Sequence, residues 1–88
     1  MRIREFEWDA SNIEHISGHQ VMPQEAEEAC KSHSLILRGY RGRYLIHGRT
    51  FAGRYLFIIA IYRWRGLVRI ITARDMTHPE KQLYERYR

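Results

Sequence analysis

Three segments in the second half of the chain have patterns of hydrophobic and polar residues that predict strands. The segments run from Arg43 to Thr50, from Arg54 to Trp64 and from Leu67 to Arg74. A period of two is typical of a half-buried strand, whereas the almost continuously apolar middle segment is typical of a central strand. Short turns at residues 51–53 and 65–66 join the segments, so we expect antiparallel hairpins.

The start of the chain predicts one short strand and then a helix. Residues 3–8 alternate, imperfectly, between apolar and charged side chains. Asp9 or Ser11 can cap the first helix, and Ser11 with Glu14 matches a capping box. The apolar side chains that we expect this helix to bury are Ile13 and Ile16.

Two further helices are predicted, one before the three strands and one at the end of the chain. Pro23 suits the first turn of the second helix, which ends near Ser32. Thr77 and Glu80 form a capping box for the last helix, whose apolar stripe includes Tyr84. The order strand, helix, helix, strands, helix predicts an α+β fold, with an antiparallel sheet of about four strands and helices packed on one face.

Length and composition predict a single cytoplasmic domain over residues 1–88. The chain is 44% hydrophobic, which suffices for one modest core and is too apolar for a disordered tail. Cys30 is the single cysteine, so no intrachain disulfide can form and a reducing compartment is expected. We expect no signal peptide and no membrane association, because the longest apolar run, Tyr55 to Tyr62, is too short to span a bilayer.

Positive charge is concentrated in the middle of the chain. The net charge is +5, and no Asp or Glu occurs between Lys31 and Arg74. We therefore expect the cations of this stretch to lack partners within the fold. Arginine binds phosphate through paired hydrogen bonds and aromatic rings stack on unpaired bases, so the interleaved Arg, Tyr, Trp and His residues favour nucleic-acid binding.

No spacing diagnostic of a metal site or of a covalent nucleophile is present. His15 and His19 lie four residues apart, but no cysteine or carboxylate completes a ligand set, so we predict no metal and no cofactor. Cys30 is expected to be a small core residue. A ribonuclease needs neither feature, because the RNA supplies the 2′-hydroxyl as nucleophile. The protein then orients that hydroxyl, stabilises the transition-state charge and transfers protons.

Five segments, in order along nearly the whole chain, resemble the BrnT family. They are Phe6–Asp9, Pro23–Ala29, Arg43–Thr50, Gly53–Ala60 and Arg69–Glu80, the last of which is followed by Tyr84. The last segment carries the most specific part of the resemblance. The chain departs from the family pattern after His19, where Gln20 replaces the usual glycine and is expected to weaken the turn by about 1 kcal/mol.

The resemblance implies a fold similar to RelE-type ribonucleases and a toxin of a type II toxin–antitoxin system. Such toxins cut RNA without a metal, inhibit translation, and are neutralised in a hetero-oligomer by a BrnA-like antitoxin, a ribbon-helix-helix DNA-binding protein. Carried onto this chain, the implied catalytic residues are Arg49, Arg54, Arg63, Arg74, His19 and Tyr84. The further residues expected to bind the RNA substrate are Arg43, His47, Arg65 and Arg69.

Two other functions stay open from the sequence. The first is a non-catalytic module that binds RNA or a partner through an Arg-rich sheet face, with steeply salt-dependent binding and no cleavage. The second is a protein-interaction domain whose arginines meet an acidic partner.

Overall fold

The computed structural model describes residues 1–87 and is built on one five-stranded sheet. The strands are β1 (Glu5–Glu7), β2 (Leu35–Arg38), β3 (Arg43–Arg49), β4 (Tyr55–Trp64) and β5 (Leu67–Asp75). The helices are α1 (Ala10–Ser17), α2 (Pro23–Lys31) and α3 (His78–Tyr87), with a 3-10 turn at Tyr40–Gly42. The spatial order of the strands is β1-β5-β4-β3-β2.

The predicted α+β class is confirmed, but the sheet differs from the prediction in two details. It has five strands rather than about four, because Leu35–Arg38 pairs with β3 as an edge strand. It is mixed rather than purely antiparallel, because β1 runs parallel to β5. A strand of 4 residues is too short to show a clear period, and strand direction depends on tertiary packing that periodicity does not encode.

The helices cover both faces of the sheet, so the expectation of a single covered face is wrong. Helices α1 and α2 bury the main core against the face that carries Ile46, Leu56 and Ile58. Tyr84 of α3 is buried, and its ring meets that of Tyr55 edge-on at 5.9 Å. Tyr55 precedes Leu56 in β4, and successive side chains of a strand point to opposite faces. Helix α3 therefore packs on the face opposite α1 and α2.

Of the two predicted caps of helix α1, Asp9 is confirmed, and its capping-box partner is Asn12; the predicted box of Ser11 and Glu14 is wrong. Asp9 Oδ1 accepts a hydrogen bond from the Asn12 backbone at 3.2 Å, and Asn12 Oδ1 accepts one from the Asp9 backbone at 2.8 Å. The side-chain amide of Asn12 also donates to a β5 carbonyl at 3.0 Å. Asn12 thus takes a buried position facing the sheet, and Ile13, which was expected there, is 38% exposed.

Gly48 lets α2 approach β3 closely. A Cβ at this position would overlap the carbonyl oxygen of Ala29, so no larger residue fits without moving the helix. Ser32, at the end of α2, accepts a hydrogen bond from the backbone N–H of Arg49 at 3.3 Å. The contact therefore holds the end of β3, and with it Arg49, in a defined position.

Within residues 1–87, three residues other than glycine adopt a left-handed backbone conformation. They are Gln20, Arg41 and Arg65, with φ of 56°, 57° and 49°. This conformation costs a residue with a Cβ about 1–2 kcal/mol. Gln20 lies in the turn between α1 and α2, whereas Arg41 and Arg65 lie in two turns at the same end of the sheet.

Candidate active site

The arginines of the carboxylate-free stretch divide into two groups according to their partners. One group forms ion pairs with carboxylates from the flanking segments, and its members are Arg54, Arg63, Arg69 and Arg74. The expectation that these cations lack partners within the fold is wrong for this group. The other group forms no ion pair within residues 1–87, and its members are Arg38, Arg41, Arg43, Arg49 and Arg65.

Arg54 ties four segments of the chain together. Its guanidinium donates to Asp75 at 2.7 Å, to Glu25 at 3.2 Å and to the carbonyl of Gln20 at 2.7 Å. A longer bond of 3.3 Å reaches the carbonyl of His19, whose side chain is exposed. Arg54 and His19 therefore meet through the backbone, and the geometry gives Arg54 a structural role. The hydrogen bond from Arg54 to Asp75 holds the pKa of the Asp75 carboxyl below its usual range.

Arg63 and Arg69 lie at the β1 side of the sheet. Arg69 pairs with Asp9 at 2.9 Å and with Glu7 at 3.2 Å, and Arg63 Nε donates to Glu7 at 3.0 Å. Arg69 lies opposite Ile61 in the β4–β5 register, six residues along β4 from Tyr55. At about 3.3 Å per residue this places it about 20 Å from that end of the strand. The two arginines thus hold β1 and do not join the residues around α3.

Residues from three strands come together beneath α3, and we call this group the α3 cluster. His47 and Arg49 are two residues apart on β3 and lie opposite Phe57 and Tyr55 of β4. Arg74 lies opposite Phe57 on β5, the other neighbour of β4 in the sheet. Together with the side chains that α3 contributes, the members of the cluster are His47, Arg49, Tyr55, Phe57, Arg74, Glu80, Lys81 and Tyr84.

Two cations without a carboxylate partner lie against one aromatic ring in the α3 cluster. The guanidinium carbon of Arg49 is 4.6 Å, and Nζ of Lys81 is 4.7 Å, from the centre of the Tyr55 ring. Neither cation forms an ion pair in the part of the chain that is described. The Tyr55 hydroxyl donates to Glu85 at 3.0 Å, which fixes the ring. This arrangement suits an anion bound beside a flat group.

Arg74 and Glu80 form the most complete ion pair of the cluster. Two parallel hydrogen bonds of 2.8 and 2.9 Å join them, and the guanidinium lies 4.4 Å from the centre of the Phe57 ring. The bond to Arg74 lowers the pKa of Glu80, so the carboxylate is ionised at neutral pH. Glu80 also accepts a hydrogen bond from the backbone of Thr77 at 2.8 Å, which confirms the predicted capping box.

Two buried side-chain atoms within residues 1–87 lack a hydrogen-bond partner, and both belong to the α3 cluster. They are Nδ1 of His47 and Nε of Arg49. A buried polar group that is left unpaired costs about 1–3 kcal/mol, so two of them on one strand face call for a functional explanation. Burial lowers the pKa of His47, and the imidazole is therefore neutral at pH 7.

The structure brings together some of the predicted site residues and separates others. Of the predicted catalytic residues, the cluster contains Arg49, Arg74 and Tyr84, together with His47, which was expected to bind RNA and is 3% exposed. The sequence predictions missed three members of the cluster, namely Tyr55, Phe57 and Lys81. They identified Glu80 as a helix cap but missed its pairing with Arg74. A helical signal was available for Lys81, because side chains three and four residues apart share a helix face, as Lys81 does with Tyr84.

Other kinds of site find little support in residues 1–87. No three His, Cys, Asp or Glu side chains come together there as metal ligands. None of the helices in this part of the chain has the length and apolar character that spanning a membrane requires. Cys30 is buried, as predicted, and burial raises the pKa of its thiol to about 12, so it stays protonated and unreactive.

Comparison with known proteins assigns the chain to no family. No family model matches it, and no curated protein matches it. The resemblance to BrnT therefore stays a prediction, and the interpretation of the site rests on its geometry.

Proposed function

We propose that the protein is a metal-independent endoribonuclease and the toxin of a type II toxin–antitoxin pair that acts in the cytoplasm. The observation that carries this proposal is the α3 cluster, where Arg49 and Lys81, which form no ion pair within residues 1–87, lie against the Tyr55 ring on the same sheet face as the Arg74–Glu80 pair. The resemblance to BrnT supports the same assignment independently. The toxin would be neutralised by a BrnA-like antitoxin.

The residue types of the cluster match the steps of RNA cleavage by transesterification. The 2′-oxygen attacks phosphorus, the bond from phosphorus to O5′ breaks, and the products carry a 2′,3′-cyclic phosphate and a 5′-hydroxyl. Arg49 and Lys81 stabilise the added negative charge on the phosphate oxygens. The proton of the 2′-hydroxyl passes to a base, for which the cluster offers the neutral His47 and the ionised Glu80. The departing O5′ takes up a proton from the protonated base or from water, which completes the 5′-hydroxyl.

The experiment that tests the proposal measures cleavage of end-labelled single-stranded RNA in the presence of EDTA. We expect the wild type to release products with 2′,3′-cyclic phosphate ends. Removal of one charge-stabilising donor lowers such rates about 100-fold or more, so Arg49→Ala should lose at least this much activity. Arg86→Ala is the matched control, because Arg86 is an exposed arginine on α3 outside the cluster.

Arg49 is a better probe than Arg54 or Arg74, because its substitution leaves no carboxylate without a cationic partner. Loss of activity in Arg49→Ala therefore reports on the site rather than on a broken ion pair. Equal cleavage by Arg49→Ala and Arg86→Ala would rule out the α3 cluster as the active site. Absence of cleavage by the wild type, or its disappearance on adding EDTA, would rule out a metal-independent ribonuclease.

The toxin role requires a test in cells. Controlled expression of the chain in bacteria should arrest growth, and co-expression of a neighbouring gene for a ribbon-helix-helix protein should relieve the arrest. Arg49→Ala should not arrest growth if cleavage causes toxicity. Normal growth on expression of a folded wild-type chain would contradict the toxin assignment and leave the cleavage assay as a separate question.

A second candidate function is a non-catalytic RNA-binding module. The observation that favours it is the group of arginines without ion pairs at the end of the sheet opposite the α3 cluster. This candidate predicts tight, salt-dependent RNA binding with no cleavage products in the same assay.

A further inference from the structure

The end of the sheet opposite the α3 cluster gathers arginines from three separate segments. Residues 1–4 lead into β1, residues 38–43 run from the end of β2 to the start of β3, and residues 64–66 run from the end of β4 into the turn to β5. The strand register brings all three segments to one end of the sheet. We call this end the basic pole. Its arginines, none of which forms an ion pair within residues 1–87, are Arg2, Arg4, Arg38, Arg41, Arg43 and Arg65.

Unpaired positive charge is concentrated at the basic pole. At the other end of the sheet Arg49 and Lys81 form no ion pair within residues 1–87, but four carboxylates lie among the cations there, namely Glu25, Asp75, Glu80 and Glu85. At the pole the nearest carboxylate along the chain is Glu5, which starts β1 and pairs with none of these arginines. The net charge of +5 is thus displaced towards one end, where it can attract a polyanion.

Aromatic side chains are exposed among these arginines. Tyr40 is 91% exposed and Trp64 is 63% exposed. Beside them a cavity of about 460 Å³ is lined by Met1, Arg2, Ile36, Arg38, Tyr44 and Tyr62. The guanidinium of Arg38 lies 5.7 Å from the centre of the Tyr44 ring. The pole therefore presents phosphate-binding and base-stacking groups side by side.

The backbone of the pole is strained at two of its arginines. Arg41 and Arg65 both have a left-handed conformation, which glycine or asparagine would adopt at lower cost. Both side chains are exposed at the tips of their turns, so neither gains stability from burial. The two turns thus place exposed positive charges at this end of the sheet.

We infer that the basic pole is a binding site for single-stranded RNA, separate from the α3 cluster. Its arginines contact the phosphates, and Tyr40 and Trp64 stack on bases. A single strand is required because bases inside a duplex do not offer their faces to side chains. The ten residues of β4 span about 30 Å between the pole and the cluster. The choice of RNA as the ligand rests on the proposed function. An RNA strand bound at the pole would extend along the protein towards the α3 cluster.

The stacking part of the inference is tested by fluorescence anisotropy with a labelled 2′-O-methyl oligouridine. This probe has no free 2′-hydroxyl, so the measurement is independent of cleavage. Loss of one stacking ring weakens binding of a single strand about fivefold or more, and we expect this for Tyr40→Ala. Tyr40→Phe keeps the ring and should bind like the wild type. Tyr87→Ala removes another exposed tyrosine, which lies on α3 and is 63% exposed, and should have no effect.

The charge part is tested by the salt dependence of the same binding. Each phosphate contact with a single strand contributes about −0.7 to the slope of log K against log salt concentration. Arg41→Gly should make the slope less negative by about 0.7, whereas Arg86→Ala should leave the slope unchanged. Arg41→Gly also relieves the backbone strain, so weaker binding cannot be attributed to unfolding.

Three results would each overturn the inference. These are equal binding by Tyr40→Ala and Tyr87→Ala, equal affinity for a duplex of the same length, and displacement of the probe by poly-glutamate as effectively as by unlabelled RNA. The last result would assign the pole to an acidic protein partner. Binding at the pole without cleavage of natural RNA would uphold the inference while contradicting the ribonuclease proposal, so the two failures are distinguishable.

Discussion

Substitution of Arg54 by alanine should cost the protein more stability than any other single loss of an arginine in the described chain. Arg54 directly precedes β4 and is half-buried, with 26% of its side chain exposed. Its guanidinium bonds Asp75, Glu25 and two carbonyls of the α1–α2 turn. Arg54→Ala removes all of these contacts and leaves Glu25 without its cationic partner.

The size of the loss follows from these contacts and their exposure. The side chain of Asp75 is 66% exposed, so that pair is screened and contributes at most about 1 kcal/mol. Glu25 is 29% exposed and adds a similar amount. The two bonds to backbone carbonyls contribute about 0.5–1 kcal/mol each. The sum is about 3 kcal/mol, which lowers the melting temperature of a domain of this size by roughly 10–25 °C.

Urea denaturation followed by circular dichroism measures this loss, and Arg63→Ala is the matched control. Arg63 makes a single pair with Glu7 in which both side chains are about one-third exposed, so its removal should cost less than about 1 kcal/mol. If Arg54→Ala cost no more than Arg63→Ala, the structural role of Arg54 would be refuted. If the loss is confirmed, reduced ribonuclease activity in Arg54→Ala would not identify a catalytic residue.

Three further substitutions have defined outcomes in the same denaturation assay. Gly48→Ala should destabilise the protein by about 1–3 kcal/mol, because its methyl group overlaps the Ala29 carbonyl, and an unchanged midpoint would contradict the close contact. Gln20→Gly should stabilise it by about 0.5–1 kcal/mol, because the left-handed strain is relieved; a loss of stability would contradict this. His47→Gln should flatten the dependence of stability on pH. Burial holds the pKa of His47 in the folded protein below 6.5. As the pH falls from about 7 towards this lowered pKa, the imidazole of the unfolded chain takes up a proton before that of the folded chain does. The free energy of unfolding therefore decreases over this range. An equal slope in wild type and variant between about pH 7 and 5.5 would show that His47 is not the group responsible.

The parts of the fold that depend on local chemistry could be predicted from the sequence. The Thr77–Glu80 capping box and the turns at 51–53 and 65–66 have signals within a few residues, and the structure contains them. Strand β2 and the parallel pairing of β1 have no such signal, because they depend on which surface the rest of the chain leaves open. The face on which α3 packs was mispredicted for the same reason, since amphipathicity shows that a helix buries one side but not against what.

The candidate site was harder to predict than the fold, because its electrostatics depend on contacts distant in sequence. Arg69 is paired with Asp9 across 60 residues, and Arg54 with Glu25 across 29. A stretch without carboxylates therefore does not imply unpaired cations. The sequence pattern does identify Arg43 and Arg65 as candidate RNA contacts, and they lie at the basic pole, where their charge is not neutralised.

The separation of paired from unpaired arginines bears on how a partner protein could neutralise the proposed toxin. An acidic antitoxin would be attracted to the basic pole, because six arginines without ion pairs in the described part of the chain gather there. In the α3 cluster only Arg49 and Lys81 lack an ion pair within residues 1–87, and the carboxylates of Asp75, Glu80 and Glu85 lie nearby. Such a partner would displace RNA from the pole while leaving the α3 cluster, about 30 Å away along β4, free of direct contact. Inhibition by charge at the pole should therefore weaken with rising salt in parallel with RNA binding, whereas a partner that covers α3 should inhibit independently of salt. The salt dependence of inhibition thus distinguishes the two modes, and it does so without a structure of the complex.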